Sequence, residues 1–166
     1  MQHILTECNA LTRRKVWDLA QRTWPHAPEL WPNINLGTIL GTGALTLPRR
    51  HANQPRIDQN PRPSPNSTAT LRLLQIIISE AAHLVWVLRC ERVIQEKNID
   101  EQGISTRWHR AINERLTTDR ITAYQTKRDQ KFTKLAKHTW KKPLKQSGTL
   151  PVNWFQNREV LVGMRA

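Results

Sequence analysis

Residues 70–97, TLRLLQIIISEAAHLVWVLRCERVIQEK, decide the fold. Leu71, Leu74, Ile78, Ala81, Val85 and Leu88 recur at alternating spacings of three and four, the period of one helical face. Leu73, Ile77, Leu84 and Val87 widen that face, so the stretch reads as a long central helix covered on more than one side. Leu73 to Ser79 alone has the β-branched composition of a strand, which leaves the period locally ambiguous. Arg72, Glu80 and His83 interrupt the run, so it lacks the roughly 18 or more uncharged residues of a bilayer span. A soluble chain is expected, with no membrane partner.

Helical patterns also flank this stretch. Upstream, about Ala10 to Thr23 carries Val16, Trp17, Leu19, Ala20 and Trp24 on one stripe, and Pro25 stops it. His26 to Gly43 reads as a short helix or turn with an apolar anchor. Its glycines follow the order G-x-x-x-G-x-G with no Lys-Ser or Lys-Thr behind them, so they serve turns better than a phosphate loop. Downstream, Ile104, Trp108, Ala111, Ile112 and Leu116 form a second pattern with Asp100 placed as its N-cap. A third, from about Asp119 to Lys142, aligns Ile121, Tyr124, Phe132, Leu135, Ala136 and Thr139 and stops at Pro143. The expected fold is an all-α bundle of four or five helices with a disordered Pro-rich insert. Its divisions are an N-terminal helical segment over 1–45, a linker over 46–67, a helical core over 68–145 and an arm over 146–166. The linker holds five of the ten prolines together with Arg49, Arg50, Arg56 and Arg62. The arm carries Trp154, Phe155 and the short run Val160-Leu161-Val162, which suits an extended segment.

Length and charge narrow the function. At 166 residues the chain has one domain's worth of material, and two cysteines cannot form a disulfide framework or a four-cysteine zinc cage. Nothing after Met1 resembles a secretion signal, so an intracellular location is expected. There are 26 basic against 13 acidic side chains, and residues 127–145 hold eight basic and one acidic, more than half the net excess. At about 100° per residue, Lys127, Lys131, Lys134, His138, Lys141 and Lys145 share one sector opposite Phe132, Leu135 and Ala136. Such a face either keeps a helix solvated or tracks the phosphates of RNA or DNA, without base readout and with steep salt dependence.

Other constellations are weaker. Glu80 and His83 form a single E-x-x-H, half of what a carboxylate-bridged dinuclear site needs, so His83 is expected to make a structural hydrogen bond. Arg92 and Glu96 have i,i+4 ion-pair spacing, and Cys90 reads as a packed thiol. The seven tryptophans are spread over every element, which suits a core better than a base-stacking platform. No H-E-x-x-H, G-x-S-x-G or C-x-x-C occurs. A non-enzyme without cofactors is therefore expected, and a metal-assisted nuclease built on Glu80, His83 and Glu91 is set aside.

His3-Ile4-Leu5-Thr6-Glu7-Cys8, followed by a helix holding Trp17, resembles the second half of the zinc-binding segment near the end of non-LTR retrotransposon reverse-transcriptase polyproteins. Residues 31–41, the run from Ile78 through Glu80 to Arg92, Arg115 to Arg120 and Asn157 to Gly163 are similar to the C-terminal region of such proteins in mushroom-forming fungi. The resemblance spans nearly the whole chain. It implies His3 and Cys8 as zinc-ligand positions, but the family's preceding C-x-x-C is missing and two ligands do not close a tetrahedral site, so they are expected to be vacant. The expectation is a non-catalytic, truncated remnant that contacts nucleic acid through residues 127–145. The alternative is a protein-interaction or self-association module using exposed apolar surface around Trp24 and Trp31.

Overall fold

A computed structural model describes residues 1–47, 65–126, 129–144 and 148–157, and these form an all-α bundle. A π-helical turn, His3–Glu7, precedes α1 (Leu11–Thr23). After a 3-10 turn at Pro28–Leu30 come the short α2 (Leu36–Leu40) and a second 3-10 turn at Thr42–Ala44. Then follow α3 (Pro65–Ile94), α4 (Glu101–Gln125) and α5 (Gln130–Lys141).

Helix α3 is the central element because its apolar face is too wide for one neighbour to cover. Leu73, Leu74, Ile77, Ile78, Ala81, Val85 and Leu88 are all buried, beneath α1, α4 and α5. Each of these side chains other than Ala81 contributes roughly 1.5–3 kcal/mol relative to exposure. Three charged or polar interruptions do not remove this helix from the membrane-span class on composition. Ser67–Ile94 has a mean hydropathy of 1.6 over its most apolar window and is long and apolar enough to cross a bilayer. Half of that window is buried inside the bundle.

Several boundaries differ from the sequence expectation. The first turn of α3 begins at Pro65, a residue whose fixed φ and missing N–H suit a first helical position, so residues 65–67 leave the linker. Residues 48–64, most of the expected disordered insert over 46–67, lie outside the described residues. Helix α3 ends at Ile94, and Glu96 adopts φ 55°, so the Arg92–Glu96 pair does not form. Glu91 reaches across to Arg107 of α4 instead (2.6 Å).

The expected third helix is split. Residues 119–125 continue α4, and α5 starts only after Asp129, whose carboxylate accepts from the Phe132 N–H (2.9 Å). Ile121 and Tyr124 consequently sit on solvent, 36% and 43% exposed, off the stripe that buries Ala136 and Thr139. At the other end of α4, Asp100 accepts from Gly103 N–H (2.8 Å), the cap that its position predicts.

Helix α1 docks on α4 through Trp108, whose Nε1 donates to Thr23 Oγ1 (2.9 Å). The stretch 148–157 is a run of turns, not an extended arm, and buries Trp154 against Phe155 edge-on (5.1 Å). Arg120 holds it by donating to the carbonyls of Trp154 (3.2 Å) and Phe155 (3.3 Å). Val160-Leu161-Val162 lies outside the described residues.

Trp24 is only 7% exposed, packed against His26 and Trp31. Of the apolar patch expected around Trp24 and Trp31, Trp24 is therefore covered, while Trp31 stays partly exposed.

Candidate nucleic-acid interface

The expected cationic face falls on α5. Asp129 caps the helix, and Phe132, Ala136, Thr139 and Trp140 turn toward the bundle, the last three buried. The opposite sector presents Lys131, Lys134, His138 and Lys141, all exposed. Lys127 and Lys145, the outer members of the expected set, lie outside the described residues. Among the described residues no carboxylate lies within ion-pair distance of Lys131, Lys134 or Lys141. His138 Nδ1 faces the Lys134 carbonyl (2.7 Å); a carbonyl only accepts, so Nδ1 carries the proton and Nε2 points outward. Lys137 is turned away, donating to the Val152 carbonyl (2.5 Å). At about 1.5 Å per residue, Lys131 to Lys141 spans about 15 Å of rod.

A buried carboxylate fixes α5 to the bundle. Asp119, 7% exposed, receives both arms of the Arg72 guanidinium (2.7 and 2.8 Å) and the indole N–H of Trp140 (2.6 Å). One side chain thus ties α3, α4 and α5 together. Arg72 also lies over the Phe132 ring, 5.8 Å from its centroid, a cation–π contact on the inner side of α5. None of this was anticipated. Asp119 continues the buried stripe 104, 108, 112, 116, 119, 123, and a carboxylate in an apolar register is the sign that a charged partner lies opposite.

The far end of α5 meets the loop after α1. Lys142 Nζ is 3.3 Å from His26 Nδ1, and His26 Nε2 is 3.5 Å from Thr70 Oγ1. Burial, and then the nearby ammonium of Lys142, lower the His26 pKa to about 4, so its ring is neutral near pH 7.

The remaining candidates are dispersed. Glu80 faces Arg115 (3.3 Å) and Glu91 faces Arg107, so both carboxylates are taken by arginines of α4. His83 is exposed and makes no hydrogen bond among the described residues, which corrects the structural role expected for it. His3 is exposed, 3.9 Å from Glu7, and Cys8 is partly buried, its N–H on the His3 carbonyl (2.6 Å). Among the described residues no three His, Cys, Asp or Glu side chains are grouped to hold a metal ion. Cys90 is partly buried on α3, and Trp86 beside it is 42% exposed, the exception among tryptophans otherwise wholly or partly buried. Compared with models of known protein families, with curated proteins and with solved structures, the chain matches none.

Proposed function

We propose that this chain is a non-catalytic domain derived from the C-terminal region of a retroelement reverse-transcriptase polyprotein, and that it binds RNA or DNA backbones without sequence preference. The observation that carries the binding part is the exposed sector Lys131, Lys134, His138 and Lys141, free of carboxylate partners among the described residues. The ancestry rests on the resemblance of the segments around His3, Glu80 and Arg115. Nothing in this role requires a cofactor or a metal at His3 and Cys8.

Each neutralised phosphate releases condensed counterions, so three lysine contacts imply a roughly 20- to 40-fold loss of affinity between 50 and 200 mM salt. The test is fluorescence anisotropy on a random-sequence oligonucleotide across that range. Replacing Lys131, Lys134 and Lys141 together by Gln, which keeps helix propensity, is expected to flatten the log–log salt slope by about 0.7–0.9 per lysine. A charge-matched control, Arg89→Gln and Arg92→Gln near the C-terminal end of α3 with Lys97→Gln just beyond it, is expected to leave the slope nearly unchanged. Equal effects of the two variants, or salt-independent binding, refute the assignment.

A second reading is favoured by the apolar surface near the end of α3, where Trp86, Val93 and Ile94 are 42%, 56% and 76% exposed. An interaction module would use that surface, replacing the one around Trp24 and Trp31. It predicts self-association that persists in high salt and is lost with Trp86→Ala.

A further inference from the structure

Two of the seven tryptophans do more than fill the core. Trp17 and Trp31 are partly buried and line, with Arg13, Arg14, Gln21 and Asn33, a groove of about 370 Å³ on the outer side of α1. That volume falls within the roughly 300–1,000 Å³ of small-ligand sites. Both rings are held in place before any ligand arrives. Trp17 Nε1 donates to the Leu5 carbonyl (2.9 Å), and Trp31 packs against Trp24 with ring centroids 6.1 Å apart.

The charge around the groove is positive. Arg13 is anchored on the carbonyls of Thr6 (3.0 Å) and Cys8, and Arg14 is exposed with no carboxylate partner among the described residues. The one acid on the wall, Asp18, is engaged by Arg22 (3.1 Å). The side-chain amides of Gln21 and Asn33 make no hydrogen bond among the described residues. Aromatic faces, free amides and unpaired guanidinium together match an unpaired nucleobase with its phosphate.

A chain of side-chain contacts, passing through the buried Trp24, links the groove to the end of α5. Trp31 touches Trp24, the Trp24 ring lies 4.7 Å from His26, and His26 meets Lys142 at the end of α5. An aromatic-lined groove can alternatively take a proline-rich segment. The chain's own such stretch carries Arg49, Arg50, Arg56 and Arg62 against the single acid Asp58, and would set like charges beside Arg13 and Arg14. Electrostatics favour the polyanion.

We infer that the Trp17–Trp31 groove receives an unpaired base of a single-stranded nucleic acid whose backbone runs on over His26 and Lys142 to the lysines of α5. This rests on the polyanion reading of α5 and adds a preference for single strands. The test uses the full chain with 15-nucleotide dT and rU strands, a duplex of equal length, and a dT strand with abasic sites that keeps every phosphate but lacks the bases. Intact single strands are expected to bind about tenfold or more tightly than the abasic strand, with quenching of tryptophan fluorescence. Trp31→Ala is expected to remove that advantage and leave duplex and abasic binding as they were, while Trp31→Phe keeps most of it. A difference between dT and rU identifies the strand taken. Equal affinity for abasic and intact strands in the unaltered protein overturns the groove and leaves the lysine face standing if binding stays salt-sensitive. Absence of binding to all four probes overturns both.

Discussion

Asp119 is the residue on which the arrangement depends most. Truncating it leaves the Arg72 guanidinium charged and partly buried, and the Trp140 indole N–H without an acceptor. Removing one partner of a buried pair typically costs about 3–5 kcal/mol, so Asp119→Ala is expected to lower the urea midpoint by that equivalent. Adding Arg72→Ala to it should cost less than Arg72→Ala alone, the non-additivity that marks a shared contact. His26 sets a pH dependence of its own. Its pKa falls from an ordinary 6.5 to about 4 on folding, through burial and the ammonium of Lys142. Between those values the unfolded chain takes up a proton that the folded one refuses. Stability is therefore complete above pH 6.5 and declines as pH drops toward 4. Thermal melts at stepped pH are expected to show this decline, reduced in His26→Gln. At this scale the sequence is informative about solvent-facing charge and silent about pairing. The lysines of α5 announce themselves by spacing, whereas Arg72 and Asp119 are 47 positions apart and meet only once three helices have packed.

Among elements, α5 shows how little separates one long helix from two. The apolar pattern runs on from Ile121 to Thr139, yet Asp129 is a strong N-cap and the chain is densely charged around it, so local capping outweighs periodicity. Asp129→Ala is expected to cost about 1 kcal/mol, to reduce far-UV ellipticity, and to weaken oligonucleotide binding as the turn carrying Lys131 frays. Periodicity served better where the run of buried positions is unbroken, as from Leu73 to Leu88 in α3 and from Ile104 to Leu116 in α4. It located Asp100 and Pro143 as the bounds of their helices. It did not find the end of α3, because Glu96 enters a left-handed conformation that no residue type there advertises.

For the molecule as a whole, the C-terminal stretch is an attached piece. Its Trp154 and Phe155 are buried, and the guanidinium of Arg120 clasps the carbonyls around them. Burial pulls the Arg120 pKa below its ordinary value, a sign of how far this side chain has left water. Arg120→Met is expected to release the segment: limited proteolysis should cut near residues 148–157 sooner, while the helical content holds. The overall architecture was legible because a helix apolar on so broad a face has to be surrounded. The groove beside α1 was not, since Trp17 and Trp31 look in sequence like any other core aromatics. Only the anchoring of Trp17 on Leu5 and the folding of the 24–31 loop leave both rings partly exposed along the groove.

The three-way clasp on Asp119 also constrains how this chain can diverge. Neither Arg72 nor Asp119 can change by itself without stranding a charge, and loss of Asp119 strands the Trp140 indole proton as well, so the three sites are tied together through the carboxylate. Among descendants of the same ancestor they are expected either to persist as an Arg–Asp–Trp set or to be exchanged together for apolar residues. The lysines outside are under no such bond and can be shuffled freely, provided the sum of their charge survives.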